Sequence, residues 1–116
     1  MPDYLVICRD RAGSDTARRS HLRAHLAYVE QIIERIRVAG PLVEESDGGY
    51  RSSCFVYRAQ NQAEALALLH ADPYFRAGVY TRTEIHEFRA VAGTWVGGCA
   101  WKDTVDGGRE KEGTHR

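Results

Sequence analysis

Four side chains able to hold or move a proton stand close together early in the chain: Arg18, His21, His25 and Tyr28. On a helix turning by about 100° per residue they share one flank with Ile32. An apolar stripe of Leu22, Leu26, Val29 and Ile33 runs beside them, and His25 lies nearest to that stripe and to the expected core edge. A half-buried imidazole beside a guanidinium and a phenol suits general acid–base chemistry. The same residue can equally be a hydrogen-bonded histidine at the rim of a core. His21 and His25 are four apart, a spacing at which two imidazoles can share a metal. A third ligand would have to be Asp72, His70 or His86. The two histidines lack the glutamate of a zincin motif, and no metal is expected. Asp72 stands immediately before Pro73, where it can orient a histidine or act as a base. It can also close a turn on its own backbone, which spacing alone favours. Arg9, Arg11, Arg18, Arg19 and Arg23 crowd the first quarter, either to hold a small anion or as a solvated helix start.

Other chemistries leave no mark. There is no P-loop, no G-x-G-x-x-G after a strand and no G-x-S-x-G elbow. Gly97-Gly98 and Gly107-Gly108 lack the strand-before, helix-after context of a phosphate cradle. Cys8, Cys54 and Cys99 match no structural zinc spacing; they read as reduced thiols, Cys8 and Cys54 as small buried hydrophobes. Lysine plus arginine (16) equals aspartate plus glutamate (16), so the total gives no footprint for nucleic acid or an anionic membrane. No apolar run approaches the ~20 residues of a membrane span. Met1-Pro2-Asp3-Tyr4 leads straight into a strand-like run, so no leader segment is expected and the cytoplasm is the expected compartment.

The elements that must position these residues follow from hydrophobic period and punctuation. Tyr4 to Cys8 is a first strand, with Ser14 or Asp15 as N-cap for a long helix over 16–34. Ile36 to Glu44 is a second strand, and Gly40-Pro41 inside it demands an edge position or a bulge. Glu45 to Gly49 is a turn, and Tyr50 to Ala59 a third strand completing a hairpin. Asn61 caps a second helix over Ala63 to Ala71, which Asp72-Pro73 ends. Thr81 to Val91 is the last strand. The order β-α-β-β-α-β is the split βαβ arrangement of a ferredoxin-like α+β domain, with two helices on one face of a four-stranded antiparallel sheet. The other face calls for cover, which a second copy would give. Residues 1–93 make this domain. Residues 94–116 form a glycine-rich, charged extension whose Trp95 and Trp101 are expected to dock on the body or on a partner.

Three segments carry a resemblance: Ala24-His25-Leu26-Ala27-Tyr28-Val29, then Ala39-Gly40-Pro41-Leu42, then Asp72-Pro73-Tyr74-Phe75-Arg76-Ala77-Gly78-Val79-Tyr80. In this order and spacing the chain resembles the YciI-related family over about residues 4–92. The resemblance implies a ferredoxin-like fold that dimerises through its sheets into an α+β barrel. It also implies a pocket between helix and sheet, in which a helix histidine and the aspartate of the third segment form an active pair. By position these are His25 and Asp72. Family members carry an arginine three residues before the histidine. Here Leu22 stands there, while Arg18 stands three before His21, so His21 is a rival.

The resulting expectation is a homodimer with a small-molecule site that needs no cofactor, acting as a lyase or isomerase. His25 (or His21) and Asp72 would move a proton on a small, cyclic or aromatic substrate. Arg18, Arg23, Tyr28 and Tyr74 are the candidate substrate-binding residues. The alternative is a non-catalytic ligand-binding or regulatory domain in the same pocket.

Overall fold

Alternation in Tyr4-Leu5-Val6-Ile7-Cys8 sends Tyr4, Val6 and Cys8 to one face of a strand and Leu5 and Ile7 to the other. In the computed structural model, which describes residues 1–102, the first set is buried and the second half-exposed. This strand, β1 (Asp3–Asp10), lies inside the sheet. It pairs antiparallel with β3 (Tyr50–Arg58) on one side and β4 (Tyr80–Phe88) on the other. β2 (Ile36–Val43) lies outside β3, giving the order β2-β3-β1-β4. Proline has no N–H to give a ladder, so Pro41 is compatible with this outer strand, whose register shifts at Ile36/Val38 and Leu42/Val43.

One face of the sheet is covered by α1 (Asp15–Gln31), α2 (Gln62–His70) and the single-turn α3 (Pro73–Arg76). The core between the layers joins Val6, Cys8, Phe55 and Tyr57 of the strands to Ala65 and Leu69 of α2. The domain is therefore a ferredoxin-like α+β fold. The start of α2 is capped as its sequence demands: the Asn61 side chain accepts from the Glu64 N–H at 2.9 Å. Arg35, in a 3-10 turn over Ile33–Arg35, donates to Glu64 (2.7 Å) and to the Arg58 carbonyl (2.9 Å), tying the end of α1 to α2 and β3.

The rotation of α1 differs from the expectation. No α1 residue is fully buried, and Leu22 (45%), Leu26 (49%) and Ile33 (55%) of the apolar stripe are largely exposed. The flank of Arg18, His25, Tyr28 and Ile32 leans inward instead. The physical reason is hydrogen bonding: each of the first three side chains reaches a partner on the body, described below. A buried polar group left unpaired costs about 1–3 kcal/mol, comparable with what burying one of these leucines would gain. The stripe forms one wall of a groove.

Among the described residues the opposite sheet face carries no α-helix. Register places Leu5, Val56 and Val38 in one row across it, and Ile7 beside Cys54 in the next. After β4 a small hairpin, β5 (Ala92–Gly93) and β6 (Gly98–Cys99), carries Trp95 in a 3-10 turn between them. Trp95 is 84% exposed and stands at the lip of a basin of about 880 Å³ floored by Leu5, Val38, Val56 and Phe88. It does not bury itself on the body. The rest of the extension, 103–116, lies outside the described residues. No helix among the described residues is long and apolar enough to cross a membrane.

This arrangement predicts a contrast in urea unfolding. Leu69→Ala, deep in the core, should cost about 2–5 kcal/mol, whereas Leu26→Ser should stay within about 0.5–1 kcal/mol. Equal costs would place the stripe in the core.

Candidate active site

The segment Asp72 to Tyr80 is shaped by its own residue types. Asp72 is the N-cap of α3, its Oδ1 accepting from the Tyr74 N–H at 2.9 Å, and Pro73 takes the first helical position. Gly78 closes the turn at φ +76°, a left-handed backbone that disfavours other residues, and Val79 follows into the core. This device leaves the Asp72 carboxylate only 1% exposed. Across from it, just past the middle of α1, His25 places Nδ1 at 2.8 Å from Oδ1 and 3.0 Å from Oδ2.

The tautomer follows from the inventory of donors. An ionised carboxylate only accepts, so the proton between these groups sits on Nδ1. A neutral His25 therefore carries its lone pair on Nε2, which has no hydrogen-bond partner among the described residues. The imidazole stacks on the Tyr74 ring (centroids 3.9 Å apart, 4° between planes) and meets the edge of Phe55 at 6.5 Å. Two aromatic neighbours and one carboxylate hold it in one orientation.

Arg18 sits further up the same flank. It makes a bidentate pair with Asp10, Nε to Oδ2 at 2.7 Å and Nη2 to Oδ1 at 2.9 Å, and Nη2 also donates to Ser53 Oγ at 3.0 Å. Burial works against its charge, but the bonds to Asp10 outweigh that and raise its pKa. The Ser14 hydroxyl donates to Asp10 at 2.7 Å instead of capping α1, and Tyr80 donates to Ser53 at 3.0 Å. The Arg18 guanidinium carbon lies 5.3 Å from the centroid of the Tyr74 ring that His25 stacks on.

Between the outward wall of α1 and β2 runs a groove of about 270 Å³. Leu22, Leu26 and Val29 form one side and Ala39, Gly40 and Pro41 the other. Arg18, His25, Ser53 and Tyr74 supply its polar and aromatic lining. All three family-like segments therefore border the same cleft.

The candidates separate clearly. The structure brings His25, Asp72, Tyr74 and Arg18 together. His21 and Arg23 are exposed on α1, and His25 alone meets Asp72. Tyr28 donates its hydroxyl to the Leu68 carbonyl at 2.6 Å, fastening α1 to α2; burial first, then the Asp72 charge, raises its pKa and keeps that donor protonated. Among the described residues no three histidine, cysteine, aspartate or glutamate side chains gather in a way that could hold a metal ion. Cys8 is buried, and burial pushes its thiol up to about 12. Asp10, Ser53 and Tyr80 were missed in the sequence. The available signal was Ser53, which alternation with Phe55 and Tyr57 puts on the inward face of β3.

Fold and cleft together define a ferredoxin-like α+β domain with one histidine–aspartate pair facing an apolar groove. The chain belongs to the YCII-related family, whose domain matches residues 3–89. It is 32% identical over 95 residues to Protein YciI of Escherichia coli and to that of Shigella flexneri, covering 76% of this chain and 97% of each relative. Among solved structures it is similar to 5-chloro-2-hydroxyhydroquinone dehydrochlorinase (TftG) from Burkholderia phenoliruptrix in complex with 2,5-dihydroxybenzoquinone. The identity is 27% and the TM-score 0.70, over 79% of this chain and 96% of that one.

Two measurements check this geometry. Nitrogen-15 NMR of the neutral His25 ring should show the proton on Nδ1, and a proton on Nε2 would refute the pairing. Iodoacetamide at neutral pH should leave Cys8 unmodified until the protein is unfolded, because its thiolate is scarce in the native state.

Proposed function

We propose that this protein is a small enzyme of lyase or isomerase type that moves a proton on a small hydroxylated ring, with His25 as its base. The observation that carries this reading is the bond from His25 Nδ1 to the buried Asp72 carboxylate, which leaves Nε2 as a bare lone pair on a side chain that lines the groove. Nε2 would take the proton of a substrate hydroxyl. The electron pair of that O–H bond moves into the ring and a ring carbon takes the proton back from the imidazolium (isomerisation). Where that carbon bears a leaving group such as chloride, loss of a second hydroxyl proton then sends its electron pair through the ring, and the leaving group departs with the electrons of its own bond (elimination). The imidazolium formed in between is offset by Asp72, the positioning residue; a hydrogen bond to a charged group contributes about 1.5–3 kcal/mol. The similarity to a dehydrochlorinase of a hydroxylated ring supports the same class of chemistry here.

Chloride release from 5-chloro-2-hydroxyhydroquinone tests it. The native protein should release chloride, and His25→Ala should slow release by about 10²–10⁴-fold, the usual worth of a positioned base. Asp72→Asn should reduce it while Arg23→Ala leaves it unchanged. A protein that is stabilised against heat by the compound yet returns it intact would be a binding domain instead.

A second copy is proposed to cover the far sheet face. Leu5, Ile7, Val38 and Val56 make it apolar, and it carries both Arg82 and Glu84, so a two-fold related copy can set unlike charges against each other. Light scattering should give a dimer for the native chain and a monomer for Ile7→Glu with unchanged circular dichroism. A monomeric native chain would sink the idea.

A further inference from the structure

The hydrogen-bond inventory around Ser53 has one member left over. Ser53 Oγ accepts from Arg18 Nη2 and from the Tyr80 hydroxyl, both at 3.0 Å, which uses its two lone pairs. The Ser53 and Tyr80 hydroxyls share one bond, so one of their two protons is left over, and of the two side chains it is Ser53 that lines the groove. Arg18 also has a donor to spare: Nε and Nη2 are engaged, Nη1 has no hydrogen-bond partner among the described residues, and Arg18 lines the groove too. Two donors left over by the domain's own bonds thus belong to side chains that line the same cleft as His25.

Charge decides what oxygen they suit. Among the described residues Arg18 is the one permanently charged side chain lining the groove, and Asp10 already neutralises it through two bonds. The other charge nearby is the Asp72 carboxylate behind His25. A carboxylate or phosphate entering here would lose its water and find no free cation, a costly transfer. A neutral hydroxyl or carbonyl oxygen would lose little and gain two donors. His25 and Arg18 both lie against the Tyr74 ring, and a ring with an oxygen at each end is the shape that would join Nε2 to the two donors.

We propose that Arg18 Nη1 and the Ser53 hydroxyl form a second oxygen seat, that the ligand is an uncharged ring bearing two oxygens, and that Ser53 selects for the second one. This rests on the reading of His25 as the base at the first oxygen, but it is tested by binding, independently of turnover. Calorimetry in oxygen-free buffer would compare hydroquinone, phenol and 4-hydroxybenzoate. The native protein should bind hydroquinone about five- to tenfold more tightly than phenol, the worth of one net hydrogen bond, and 4-hydroxybenzoate no more tightly than phenol. Ser53→Ala should erase the hydroquinone advantage and Ser53→Thr, which keeps the hydroxyl, should retain it. His25→Ala should weaken both phenols alike and preserve their ratio. Equal affinities in the native protein, a ratio that survives Ser53→Ala, or tighter binding of 4-hydroxybenzoate than of hydroquinone would overturn the seat. An intact ratio in a protein that releases no chloride would leave the seat standing and remove only the catalytic reading.

Discussion

A carboxylate with 1% of its surface in water persists only if its lone pairs are met, and Asp72 meets that condition with two donors. One is the Tyr74 N–H of the turn that Asp72 itself begins. The other is His25 on a helix 47 residues earlier. Much else in the domain follows from bringing that imidazole to that carboxylate. The helix must roll until its polar flank faces the body, and its leucines then have nowhere to go but the cleft wall. Tyr74 is drawn beneath the imidazole, and its hydroxyl finds the Arg18 carbonyl at 3.2 Å. Tyr28, one turn on from His25, is carried to the Leu68 carbonyl. Docking of the helix and formation of the site are the same event.

Much of the architecture was legible because it is written in local patterns. Alternation in β1, the Asn61 cap, the proline that suits β2 to an edge, and the Asp72-Pro73 break each act within a few residues. The roll of α1 was not. Periodicity reports that Leu22, Leu26, Val29 and Ile33 are aligned; it does not report which side of the helix meets the sheet. Here polar residues with distant partners outcompeted the apolar ones. For the same reason spacing left His21 and His25 as rivals. Only the reach from Asp72, a tertiary fact, separates them.

The Asp10, Arg18, Ser53 and Tyr80 network shows the other limit. Its members come from four elements and are joined across separations such as 35 and 27 residues. No short window contains two of its bonds, apart from the Asp10–Ser14 and Asp10–Arg18 steps around the first turn of α1. Arginine in a basic run read as a surface charge or an anion holder. With its carboxylate partner in place it is a neutralised, rigid donor, a different chemical object from a free guanidinium.

The outward-turned leucines have a consequence for how this scaffold can change over generations. Leu22, Leu26 and Val29 shape the cleft yet contribute little to the core, while Val6, Tyr57 and Leu69 hold the core and lie away from the cleft. Selection can therefore try new side chains on the wall without drawing on the few kcal/mol that keep the chain folded. A lineage built this way can reshape its cleft by drift along a single helix face, keeping the His25–Asp72 pair untouched.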